Sequence, residues 1–252
     1  MKASLFFNFI LLFFCSAFAD NVKVSFTTAD ILFVGDSHST GCFGQVLDQQ
    51  IRKLQNPSTK KPVTLQSVAT CGSSSASWLI PNGHSTNCGF RKCNTDGKCE
   101  NAVDGQSDSL KQCLKDSGPK PNPKIAIIAL GSNMLKDDIN QVMLQTVKLI
   151  KQTADSRCVW IGPPQAAVSV ISVNAYDQFV QKLESTVTSN GCYFVNSSDK
   201  TNRGNLHDPL GLHYSCSDAT KWSQKVSAQL VPVLSNDLQA PNAISIPNGF
   251  IN

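Results

Sequence analysis

The sequence predicts an α/β protein: a parallel sheet between layers of helices, carrying one cystine-rich insertion. Short apolar, β-branched runs alternate with segments whose apolar residues recur at helical spacing, the pattern of strands that must be joined by crossover helices. The run Asp30-Ile31-Leu32-Phe33-Val34 stops abruptly at Gly35-Asp36-Ser37, and a helical pattern (Phe43, Val46, Leu47, Ile51, Leu54) begins at once. One stretch, Gly72 to Pro123, breaks the alternation; it is rich in Ser, Asn, Gly, Lys and Cys and too long for a plain connection.

Taken in order, the chain opens with the marks of an export signal over 1–19. Lys2 is its positive end, Leu5 to Phe14 an apolar core too short to span a bilayer, and Ala17-Phe18-Ala19 a small-residue cleavage site before Asp20. A lipoprotein reading at Cys15 is the poorer option, because bulky Phe13 and Phe14 precede it. No later apolar run is long enough for a membrane span, so the mature protein is expected to be exported, periplasmic or secreted, and not stably inserted in a membrane. Residues 20–234 read as one domain, with the insertion at about 73–123, and 235–252 as a trailing tail with prolines, asparagines and no periodicity.

The first strand ends at Gly35. Pro62 to Ala69 (Val63, Leu65, Val68) reads as the second, Lys124 to Leu130 as the third and most apolar, Cys158 to Ile161 as the fourth and Cys192 to Val195 as the fifth. Helices are expected over Asp137 to Gln152 (Ile139, Val142, Met143, Ile150), Asn174 to Thr188 (Phe179, Val180, Leu183, Val187) and Ser217 to Leu230 (Ala219, Trp222, Val226, Leu230).

Charge and cysteine usage narrow the function. A formal net charge of +4 among 252 residues, scattered along the chain, argues against a nucleic-acid partner. Ten cysteines in an exported chain read as disulfides. Cys88, Cys93, Cys99 and Cys113 are expected to bridge within the insertion; a zinc site using His84 is the sharper alternative, but the spacing fits no metal pattern. Cys158 and Cys192 each open a predicted strand and so fall within bonding reach at one edge of a parallel sheet. Cys42, Cys71 and Cys216 fall close to candidate functional residues, and removal of Cys15 leaves an odd number, hence one unpaired thiol.

Alone, Gly35-Asp36-Ser37 reads more readily as a turn with a helix cap than as a site. The later blocks change that reading. The second strand runs into Cys71-Gly72-Ser73, the third into Gly131-Ser132-Asn133, and the closing helix is preceded by His207-Asp208-Pro209-Leu210-Gly211-Leu212-His213. All should converge on the carboxyl edge of the sheet, where open α/β proteins bind ligands. A hydroxyl, a base, an orienting carboxylate and amide donors are what a serine hydrolase needs there.

In these blocks the chain resembles the SGNH (GDSL-type) serine hydrolase superfamily, which supplies Ser, Gly, Asn and His in that order; here Ser37, Gly72, Asn133 and His213 match, across essentially the whole mature domain. The resemblance implies a flavodoxin-like α/β/α sandwich with a five-stranded parallel sheet. It also implies Ser37 as nucleophile, His213 as base, and an oxyanion hole from the Ser37 and Gly72 N–H groups and the Asn133 amide. No metal or cofactor is implied.

The family's last block carries Asp three residues before the His, where this chain has Leu210. Asp208 is the nearest carboxylate and is expected to orient His213; Asp199, Asp218 or a backbone carbonyl are the alternatives, and His207 is a rival base. His38 and Trp78 are candidate substrate contacts, each with a structural reading beside it, Trp78 as part of the insertion's own small core.

The expected function is that of an exported esterase acting on small acyl esters, above all O-acetyl groups on a cell-wall or other polysaccharide. The polar insertion, with Ser73 to Ser75, Asn82, His84, Asn87 and Asn94 and no long apolar lid, points to a polar alcohol portion. A lysophospholipase or thioesterase, an acyltransferase, and a catalytically inactive glycan-binding module are the alternatives.

Overall fold

The computed structural model describes residues 29–57, 59–117, 123–198 and 211–239, apart from the side chains at 237 and 239. The expected leader, Asp199, His207, Asp208 and Leu210 lie outside the described residues.

The five expected parallel strands are present: β1 (Ile31–Gly35), β2 (Leu65–Thr70), β7 (Ile125–Ala129), β8 (Arg157–Ile161) and β9 (Tyr193–Val195), in spatial order β2-β1-β7-β8-β9. This is the flavodoxin-like order, in which the chain reverses direction of travel between β1 and β7. β1 is buried along its whole length and pairs on both sides, Val34 opposite Val68 and Ile128. Its alternation feeds two cores. Ile31 and Phe33 join Phe43, Leu47, Ile51, Trp222, Val226 and Leu230 on one face. Leu32 and Val34 join Trp160, Val142, Leu149, Tyr176 and Leu183 on the other.

Helices α2 (Cys42–Arg52) and α7 (Cys216–Gln239) cover the first face, and α5 (Ile139–Gln152) and α6 (Val173–Ser189) the second. Their starts are chemically marked. Asp138 accepts the Asn140 and Gln141 N–H groups to cap α5, and Ser172 accepts that of Ala175 to cap α6. The closing helix continues past Leu230 through Pro232 to Gln239, burying Leu234 and Leu238, so a tail beginning at 235 would start inside it.

The insertion builds onto the sheet itself. It contributes α3 (Ser75–Leu79), β3 (His84–Thr86), β4 (Phe90–Cys93), β5 (Cys99–Ala102), β6 (Gly105–Ser107) and α4 (Leu110–Asp116). β4 lies antiparallel on β2, and β5 on β4, so the sheet has seven strands rather than five; β3 and β6 form a separate pair. Charged side chains anchor the extension: buried Asp48 on α2 pairs with Arg52 at 2.5 Å and with Arg91 of β4 at 3.3 Å. Arg52 also donates to the carbonyls of Asn94 and Thr95 in the β4–β5 turn.

Four disulfides form among the described residues. Cys158–Cys192 is the bridge expected from strand placement, and Cys93–Cys99 closes the β4–β5 turn inside the insertion. Cys88, expected to bond within the insertion, instead reaches Cys71 at the end of β2, and Cys113 is the unpaired thiol. Burial pushes the Cys113 thiol well up, so it stays protonated and unreactive. Cys42–Cys216 joins the starts of α2 and α7. His84, the candidate zinc ligand, meets the Ser107 hydroxyl through Nδ1 at 3.0 Å and the edge of Trp78; no cluster of metal-ligating side chains occurs among the described residues. No described helix is long and apolar enough to cross a membrane.

Candidate active site

Strand β1 delivers Ser37 to the carboxyl edge through a turn with no spare residue. Gly35 is required by close approach: a Cβ there would lie 2.1 Å from the Ser39 hydroxyl. Asp36 caps the short helix α1 (Ser37–Thr40), its Oδ1 accepting the His38 N–H at 3.1 Å. The carboxyl is 3% exposed, and burial raises its pKa from 3.8 to about 7 against the pull of that N–H. Ser37 is partly exposed, and the Thr40 hydroxyl donates to its carbonyl at 2.8 Å.

The imidazole arrives from the far end of the chain. Nε2 of His213 lies 2.8 Å from Oγ of Ser37, across 176 residues of sequence. Around it, the Ala167 N–H donates to the Gly211 carbonyl at 2.8 Å and the Tyr214 hydroxyl to the Gln165 carbonyl at 2.7 Å, so the loop after β8 props the histidine segment. Ser215 then caps α7: its hydroxyl accepts the Asp218 N–H and donates to the Asp218 carboxylate. Asp218, one of the alternative supports for His213, thus serves the helix start and also pairs with Lys221 at 3.2 Å.

The loops after β2 and β7 meet beside this pair. Gly72 has φ +79°, a left-handed conformation that favours glycine, and is exposed. Asn133, in the 3-10 turn Ser132–Met134, donates from Nδ2 to the Ser73 carbonyl at 3.0 Å. Ser73 is the residue that sequence reasoning undervalued. Fully buried, its hydroxyl donates to the Gly35 carbonyl at 3.2 Å and accepts the Trp78 indole N–H at 3.2 Å. One serine thereby joins the ends of β1, β2 and β7. Its neighbour Ser75 is also buried, against Met134 and Thr146, so neither belongs to a polar lining for a sugar.

Two expected contacts are placed elsewhere. Trp78 is 0% exposed and belongs to the core beneath the insertion, which leaves no ring face for a ligand. His38 is 6% exposed, its ring 5.0 Å from that of His213 and edge-on to Trp222 at 5.2 Å, while Trp222 stacks on Phe43 at 3.6 Å. His38 is therefore one layer of an aromatic column behind the imidazole. Only its adjacency to Ser37 was visible in sequence.

Ser37 and His213 thus meet at the carboxyl edge of the sheet, where the loops carrying Gly72 and Asn133 are joined to each other and to the end of β1 through Ser73. A hydroxyl against an imidazole nitrogen, with amide donors alongside, is suited to nucleophilic attack on an acyl carbon. The fold is similar to that of solved esterases and acylhydrolases. The esterase EstA from Pseudoalteromonas sp., solved in a form inhibited by monoethylphosphonate, superposes with a TM-score of 0.53 at 14% identity, over 83% of this chain and 99% of that one. A lipase/acylhydrolase from Enterococcus faecalis gives 0.53 at 14% identity, over 86% of this chain and 100% of its own. In sequence the chain is similar to Protein BcsX of Komagataeibacter xylinus, 22% identical over 231 residues, or 84% of this chain and 80% of that protein. No family model matches.

Proposed function

We propose that the protein is an exported serine esterase that removes small acyl groups, chiefly O-acetyl groups from a cell-wall or other polysaccharide. The observation that carries this reading is the 2.8 Å approach of His213 Nε2 to Ser37 Oγ. With its Nδ1 protonated, His213 accepts the Ser37 proton through Nε2 as the hydroxyl attacks the ester carbonyl. Asp208 is the carboxylate proposed to hold that tautomer.

The tetrahedral oxyanion is taken up by the Ser37 and Gly72 N–H groups and by the Asn133 amide. Asn133 commits one N–H to Ser73 and has a second to give. One such donor contributes roughly 3 kcal/mol to the transition state. His213 returns its proton to the leaving alcohol; water, deprotonated by the same imidazole, then releases the acid and restores the serine.

The polar alcohol portion is supported by what lies next to Gly72. The Cys71–Cys88 bridge brings exposed Asn87 and Ser85 alongside that loop rather than an apolar lid. Four disulfides favour an oxidising, exported setting.

The test compares wild type and Ser37→Ala on p-nitrophenyl acetate, longer p-nitrophenyl esters and acetylated oligosaccharides, with fluorophosphonate labelling alongside. Acetate release that depends on Ser37 and falls with acyl length is expected. Equal rates for the two proteins would remove Ser37 from the mechanism, and glycan retention without labelling would favour a binding module. Acyl product diverted to added alcohols at constant ester consumption would instead mark a transferase.

A further inference from the structure

We infer that Cys42 and Cys216 are positioning residues for catalysis, their bridge holding the Ser37 hydroxyl and the His213 imidazole in reacting register. The inference rests on the nucleophile and base roles proposed above. Between Ser37 and Cys42 lie only the short helix α1 and Gly41, and between His213 and Cys216 only Tyr214 and the capping residue Ser215. The bridge therefore joins the first residue of α2 to the first residue of α7, with a Cα–Cα distance of 5.3 Å across 174 residues of sequence.

Cys42 lies five residues after Ser37, and Cys216 three residues after His213. The cross-link thus acts at the reacting pair, not merely somewhere in the same domain.

Without the bridge, the register of α7 on α2 rests on packing such as the Phe43–Trp222 stack, and the histidine segment on contacts such as the bonds of Gly211 and Tyr214 to the loop after β8. Those contacts tolerate small sliding. A hydrogen bond of 2.8 Å between reacting groups does not, and a misplacement of about 1 Å in such a pair costs on the order of a hundredfold in rate.

The molecule contains its own control. Cys158–Cys192 joins the start of β8 to the start of β9, strands already in register through Val159 and Tyr193, at the edge of the sheet away from Ser37. Its cysteines are buried, whereas Cys216 is exposed and Cys42 partly so. A dithiol reductant therefore reaches the site bridge before Cys158–Cys192: the S–S bond accepts two electrons and two protons to give two thiols as the reductant closes to its own disulfide.

The experiment compares Cys42→Ser/Cys216→Ser with Cys158→Ser/Cys192→Ser at a temperature where circular dichroism shows both folded. The first pair is expected to lower kcat and the rate of fluorophosphonate labelling of Ser37 by about ten- to a hundredfold, with KM within about twofold. The second should leave kcat within about twofold. An unchanged kcat in the first pair, or equal losses in both, overturns the inference.

If the first variant does not fold, wild type is reduced natively with dithiothreitol and its free thiols are mapped by alkylation. Labelling must then fall in step with the freed Cys42 and Cys216 and return on reoxidation. Loss that tracks any other bridge overturns the inference. Wild type that never labels refutes the proposed function instead. The bridge is then judged by the NMR signals of the His213 imidazole, whose chemical shifts must change when the bridge is removed; unchanged shifts overturn the inference.

Discussion

The two edges of the parallel sheet are finished in opposite ways. At the amino edge each loop bonds to its immediate neighbour. The Asp30 carboxylate accepts the Thr64 N–H and hydroxyl beside the starts of β1 and β2, the Arg157 N–H meets the Lys124 carbonyl, and Cys158 bonds Cys192. At the carboxyl edge the ties are long and cross between elements: Ser37 to His213, Cys42 to Cys216, Asn133 to Ser73, and Ser73 to Gly35.

The amino edge secures strand pairs that backbone hydrogen bonds already define. The carboxyl edge gathers polar groups that no regular element would bring together. Chain-entropy estimates for the two bridges, closing 174 and 34 residues, are roughly 5 and roughly 4 kcal/mol, too close to set the edges apart by stability. Activity is what should separate them.

The largest effect should come from the proposed base. His213→Ala is expected to reduce ester turnover by three orders of magnitude or more, measured as kcat on p-nitrophenyl acetate, with the fold retained by circular dichroism. Next is Asn133→Ala, which removes a proposed oxyanion donor and a bond to Ser73. A fall in kcat of about a hundred- to a thousandfold is expected, and a fall confined to KM would place Asn133 outside the oxyanion hole.

Asp36→Asn sharpens the comparison through pH. A carboxyl whose pKa rises from 3.8 unfolded to about 7 folded binds more protons in the folded state. Its stabilising contribution is full below pH 4 and lost as the pH climbs toward 7. Asparagine keeps the acceptor for the His38 N–H without titrating. The variant should gain on wild type between pH 5 and 7, approaching about 1.4 kcal/mol per pH unit in urea unfolding, and level off above; a gap constant with pH would contradict this. The smallest effect belongs to the amino edge. Asp30→Ala should cost about 1 to 2 kcal/mol of stability by denaturant titration and leave kcat unchanged.

The difference between the edges also explains what could be read in advance. The parallel strands were legible because Ile125 to Ala129 and Ile31 to Val34 are apolar runs that only a sheet covered on both faces would bury. The four loop blocks were legible because strand ends fix where their residues emerge. Strands β4 and β5 were not: Phe90-Arg91-Lys92-Cys93 and Cys99-Glu100-Asn101-Ala102 carry no apolar run, β5 forming the edge of the sheet and β4 lying between it and β2.

Ser73 escaped notice for a related reason. A serine after a strand reads as a turn residue, and only the fold puts the Gly35 carbonyl and the Trp78 indole within its reach. Cystine pairing followed the same rule: Cys158–Cys192 came from strand placement, while Cys71–Cys88 needed the antiparallel return of β4.

The placement of the proposed nucleophile early and its proposed base late in the polypeptide also has a temporal side. During synthesis the serine emerges long before residue 213, and the local Cys93–Cys99 loop, spanning 6 positions, can close at a stage when the partner of Cys42 does not yet exist. A nascent or prematurely ended chain therefore has a hydroxyl but nothing to take its proton. On the proposed roles, competence to cleave esters arrives only once the segment carrying residue 213 has been made.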